Sequence, residues 1–82
     1  MKADPSFESL RKVFLQAWKN QAEDVDGIEK NYISQLVRDT DLSRNRVQRA
    51  VDGIEDLGLA TTFQEQGKRK LNVLVNPEFD EV

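Results

Sequence analysis

The chain has 82 residues, is 38% hydrophobic and 33% charged, and carries a formal net charge of -3, which fits one small domain burying about 60% of its unfolded surface. It contains no cysteine and no histidine, which argues against disulfide staples, thiolate nucleophiles, Ser-His or Cys-His couples and the usual zinc ligands, and so against a self-sufficient enzyme or a zinc finger. No apolar run approaches the ~20 residues of a membrane span, and Met1-Lys2-Ala3-Asp4-Pro5 lacks the apolar core of a secretory signal, so a soluble, cytoplasmic chain is expected.

A first helix is expected over about residues 6–22. Asp4 or Ser6 can cap it, Pro5 suits a first-turn position, and Glu8 lies near the positive end of the helix dipole. At roughly 100° per residue, Phe7, Leu10, Phe14, Ala17 and Trp18 fall on one face, which is the core-facing stripe. Val13 and Leu15 flank that stripe and widen it, as extra core or as a contact between two copies of the chain. The polar run Glu23-Asp24-Val25-Asp26-Gly27 ends the helix, and a short extended piece follows around Ile28 to Tyr32.

Asn31 or Ser34 can cap a brief second helix in which Ile33, Leu36 and Val37 point inward and which ends near Asp39 or Thr40. The link Thr40-Asp41-Leu42 is tight. Ser43 is a good cap for a third helix running to about Leu57, with Gly58 just past its end, where a left-handed residue is wanted. Two helices joined by so short a turn cross at a large angle, which holds the second one proud of the domain.

On the third helix, Val47, Ala50, Val51, Ile54 and Leu57 form the inner side. Asn45, Gln48, Arg49 and Asp52 project from the outer side, with Arg44 and Arg46 on its shoulders. Asn and Gln side chains can pair with adenine edges and Arg with guanine, each good bidentate contact contributing ~1 to 3 kcal/mol of discrimination. An ordinary solvated face, with Arg49 paired to Asp52 or Asp56, would also carry such residues. Asp52, Glu55 and Asp56 repel phosphates, so only the first two turns suit a major groove. Gly53, inside the helix, costs ~1 kcal/mol relative to Ala, which close approach of another backbone would account for.

A hairpin closes the pattern. Leu59, Thr61 and Phe63 share one side of a strand; Leu71, Val73 and Val75 share one side of another; Gln64-Glu65-Gln66-Gly67-Lys68 supplies the turn. Lys68, Arg69 and Lys70 near its tip suit phosphate or an adjacent minor groove, although Lys on an edge strand also discourages aggregation. Asn76-Pro77 stops the second strand, and residues 76–82 read as an acidic tail. Charge follows the same division. Residues 1–42 hold six basic against eight acidic side chains, residues 43–75 six against four, and residues 76–82 none against three, so the positive excess sits in the third helix and the hairpin.

From Ile28 to Pro77 this order of elements resembles winged helix-turn-helix domains. Ile33, Leu36 and Val37, then Leu42-Ser43-Arg44, Val47, Val51, Ile54 and Leu57-Gly58-Leu59, are similar to the pattern of small bacterial and archaeal regulators of the MarR and ArsR groups. The resemblance implies an α+β, winged helix-turn-helix domain of three helices followed by a two-stranded β-hairpin wing. It would span residues 1–82 as a single domain, with the helix-turn-helix over about 31–57 and the wing over about 59–75. It further implies sequence-specific binding of double-stranded DNA by a small transcriptional regulator, read by the third helix and steadied by the wing. The expected DNA-binding residues are Ser43, Arg44, Asn45, Arg46, Gln48, Arg49, Lys68, Arg69 and Lys70, with a homodimer formed through the first helix. No cofactor, metal, small-molecule ligand or membrane partner is expected. Two alternatives stay open: a plasmid or phage replication initiator domain, to which Tyr32 to Leu42 and Leu71 to Pro77 are also similar, and a winged-helix protein-interaction module that binds no DNA.

Overall fold

The three helices and the hairpin all form in the computed structural model, which describes residues 5–23 and 31–75. The order is α1 (Pro5–Glu23), α2 (Ile33–Thr40), α3 (Arg44–Asp56), β1 (Ala60–Glu65) and β2 (Lys68–Val73), a small α+β arrangement with one antiparallel hairpin. The capping role of Asp4 or Ser6, the polar turn after α1, the extended piece before Asn31 and the acidic tail lie outside the described residues and side chains.

α1 packs chiefly on α3. Its buried side is Ser9, Val13, Phe14 and Ala17, with Leu10 and Trp18 packed at the margin. The stripe is therefore rotated from the expected one: Val13 is fully buried, whereas Phe7 is 57% exposed. Ser9, Val13 and Ala17 are compact residues four apart, a row that allows close helix approach, and the bulky Phe7 falls outside it. α3 is thinned where Leu10 of α1 meets it. A Cβ at Gly53 would stand 2.8 Å from Leu10 Cδ1, so what approaches α3 there is the end of a side chain and not another backbone.

α2 buries Ile33, Leu36 and Thr40, with Val37 against the same core. Neither expected cap serves it. Tyr32 is the cap residue, and its carbonyl accepts from the amides of Gln35 and Leu36, both at 3.0 Å. Asn31 is instead a fully buried fastener. Its Nδ2 donates to the Ala17 carbonyl at 3.0 Å and to Gln21 Oε1 at 3.1 Å, and its Oδ1 accepts from Asn20 Nδ2 at 3.0 Å. Gln21 Oε1 also accepts from the Val73 amide at 2.7 Å, so one amide cluster ties α1, the approach to α2 and β2 together.

The link between α2 and α3 is made by a left-handed Asp41 (φ 61°) and by Thr40, whose hydroxyl donates to the Leu36 carbonyl at 2.6 Å and accepts from the Leu42 amide at 3.4 Å. Asp tolerates the left-handed region better than most residues, which suits it to this corner. Ser43 Oγ then accepts from the Arg46 amide at 3.2 Å, as expected of the cap. α3 ends on Gly58 at φ 76°, with Gly58 donating to the Glu55 carbonyl and Leu59 to the Ile54 carbonyl, the paired closure of a helix that stops on a left-handed glycine.

In the hairpin, Glu65 pairs with Lys68 around a two-residue turn, Gln66-Gly67, whose φ values of 55° and 77° match the twist of a tight hairpin. This register sets Ala60 opposite Val73 and Thr62 opposite Leu71. The core side of β1 is therefore Ala60 and Thr62, while Thr61 and Phe63 face outward. Of the expected grouping Leu59, Thr61 and Phe63, the last two share a side, but it is the outer one, whereas Leu59, just before the strand, packs against the core. On β2, Leu71 and Val73 are buried as grouped and Val75 is 42% exposed. Tyr32 pairs with Lys70, and the Leu71 amide donates to the Asn31 carbonyl at 2.8 Å, so the residues before α2 lie along the other edge of β2. Among the described residues no helix is long and apolar enough to cross a membrane.

Candidate nucleic-acid interface

The cap at Ser43 and the buried row Val47, Ala50, Val51 and Ile54 fix which way α3 faces. With that row inward, Arg44, Asn45, Arg46, Gln48 and Arg49 are all exposed. Among the described residues, no hydrogen bond or ion pair engages any of these five side chains. Arg49 in particular is not paired with Asp52 or Asp56. The exposed surface of the first two turns thus carries three guanidinium groups and two amides within six residues. Ser43 contributes through its cap, which sets where those turns begin.

The three hairpin cations are placed differently. Lys68 Nζ lies 4.9 Å from the centre of the Tyr32 ring, within the range of a cation–π contact. Arg69 Nη2 donates to Asp52 Oδ1 at 2.7 Å and to Glu55 Oε1 at 3.5 Å, with its side chain 28% exposed. Lys70 is buried, and its Nζ donates to Glu65 Oε1 at 2.5 Å. Of the three, Lys68 is exposed and pairs with no carboxylate among the described residues.

Between α2, α3 and the hairpin tip runs an open groove of about 470 Å³, whose polar wall is Tyr32, Ser34, Arg44, Gln48, Gln64 and Lys68, with the carboxylate-held Arg69 also reaching it. Tyr32, Ser34 and Gln64 are additions that the sequence reading missed. Tyr32 joins the surface because it pairs with Lys70, and Gln64 because the register places it opposite Arg69; neither pairing has a local sequence signal. Among the described residues no cluster of carboxylates is placed to hold a metal ion.

No family model, curated protein or solved structure matches this chain. The reading of the surface therefore rests on its own chemistry and geometry.

Proposed function

We propose that this protein is a winged helix-turn-helix domain that binds double-stranded DNA in a sequence-specific way, as a small transcriptional regulator without enzymatic activity. The observation that carries the reading is the unengaged, exposed set Arg44, Asn45, Arg46, Gln48 and Arg49 on the first two turns of α3. In this reading those turns enter the major groove. Asn45 and Gln48 pair with adenine edges, Arg49 takes a guanine, and Arg44 and Arg46 sit beside phosphates on either shoulder. Lys68, at the hairpin tip and across the groove from Arg44, adds a contact to the same duplex. A net charge of -3 limits non-specific attraction, so discrimination comes from base edges more than from bulk charge.

One such module covers a short site, and a pair on a repeated site gains the affinity that one lacks. The outer side of α1 supports pairing: Phe7 is 57% exposed and forms an apolar surface with Leu15 beside Arg11 and Lys12. A replication initiator domain would use the same DNA-reading residues, and its site would be an array of repeats. A second reading, a protein-docking module, draws on exposed Leu57, Leu74 and Val75, which gather where α3 ends and the hairpin begins and closes.

Selection of bound duplexes from a random double-stranded pool tests the proposal. A recovered motif supports base reading by α3, and a repeated motif supports a pair. Absence of enrichment by folded protein would overturn the DNA-binding reading in favour of docking.

A further inference from the structure

The hairpin is held in two ways along its length. At its base, Ala60, Leu71 and Val73 are buried against the helices. Toward the turn, the same side of the hairpin continues as Thr62, Gln64 and Arg69, all polar. Apolar burial therefore stops about halfway along, and the distal half depends on directed polar contacts.

Those contacts converge on α3. Glu55 is bonded to both strands: its Oε2 accepts from Thr62 Oγ1 of β1 at 2.8 Å, and its Oε1 from Arg69 of β2 at 3.5 Å. Arg69 also reaches Asp52, one turn earlier, at 2.7 Å. Successive strand residues point to opposite sides, so Lys68 reaches the other way, over the Tyr32 ring. The tip is gripped from both sides by two neighbouring cations. Asp52 follows Gln48 by four residues and Arg49 by three, which places its carboxylate beside the DNA-reading surface. An uncompensated anion there would repel a phosphate. Arg69 both steadies the hairpin and cancels that charge.

Resting on the DNA-binding reading above, we propose that Arg69 is a positioning residue: held by Asp52 and Glu55, it locks the distal hairpin onto the reading helix and itself contacts no phosphate. A guanidinium suits this task because its planar fork can serve two carboxylates at once, which an ammonium does poorly.

The test has one arm without DNA and one with it. In the free protein, Arg69→Ala should raise amide hydrogen exchange over residues 62–69 by roughly two- to fivefold, the scale of a partly exposed ion pair. Exchange in α3 should stay unchanged. Asp52→Asn should give a smaller rise over the same residues, and Arg69→Lys should restore part of the protection. On a selected duplex, Arg69→Ala should lower affinity severalfold, in part by leaving Asp52 uncompensated, and adding Asp52→Asn to it should restore the wild-type salt slope, because no phosphate contact is removed. Unchanged hairpin exchange in both Arg69→Ala and Asp52→Asn would overturn the proposal, as would a salt slope that stays lower by about one in the double variant Arg69→Ala with Asp52→Asn. If the wild-type protein selects no duplex, the DNA-binding reading fails by itself, while the exchange arm still decides the role of Arg69 in the fold.

Discussion

The two basic segments of this chain, Arg44 to Arg49 on α3 and Lys68 to Lys70 on the hairpin, look alike in sequence and differ in the folded molecule. Each brings three cations. On α3 all three are exposed and unengaged by the described groups. On the hairpin one lies over an aromatic ring, one bridges two carboxylates of α3, and one is buried against Glu65. Local charge density attracts phosphate only where the fold leaves the charge available. The helix keeps its cations available because its apolar residues recur on one side, leaving a wide outer arc on which they pair with none of the described groups. The hairpin has no such arc: its neighbours lie on both sides and along its edge, so each of its three cations meets a partner.

This contrast can be broken at several points, beginning with the hairpin's apolar base. Leu71→Ala removes a fully buried side chain between β2 and the helices and should cost about 2 to 5 kcal/mol in urea unfolding. A much smaller loss would mean that polar contacts, and not the core, seat the hairpin. Lys70→Ala should cost about 1 to 2 kcal/mol through its buried stem, since Glu65 is half-exposed and returns to water. A loss of DNA affinity with no loss of stability would place Lys70 with the α3 cations after all. Ser43→Ala removes the α3 cap and should cost about 1 kcal/mol in the same unfolding measurement. An unchanged stability would show that the start of α3, and hence the placement of Arg44 and Asn45, does not depend on that hydroxyl. Arg49→Ala should shift stability by less than about 0.5 kcal/mol. A larger destabilisation would show a structural role for the side chain and weaken its assignment as a reader.

Much of the architecture is legible in the residues because it is local. Ser43, Gly58 and the spacing of Val47, Ala50, Val51 and Ile54 define α3 without reference to the rest of the chain, and the same local logic places its outer residues. What escapes is set by pairing across distance. Whether Thr61 or Thr62 faces the core depends on a register fixed by the two-residue turn, and a one-residue slip exchanges the two sides. Asn31 has the side chain of a helix cap, but Ala17, Asn20 and Gln21 claim it from α1. Val13 takes the buried place expected of Phe7 because α1 lies rotated on the core, as its contacts with distant elements dictate. For the candidate site, the α3 set could be read from a helical wheel, whereas the partners of Lys68 and Arg69 lie outside the hairpin and leave no mark in its own sequence, and the pairing of Lys70 with Glu65 depends on how the two strands meet.

The central claim, that the cations of α3 face DNA while the buried cation of the hairpin belongs to the fold, is tested most directly by titrating one selected duplex at two salt concentrations with Arg49→Ala and Lys70→Met side by side. The account predicts that Arg49→Ala loses preference for the selected sequence over a scrambled one, each lost base contact being worth ~1 to 3 kcal/mol, and that Lys70→Met keeps both the wild-type preference and the wild-type salt slope. A preserved preference in Arg49→Ala together with a slope reduced by about one in Lys70→Met would contradict it.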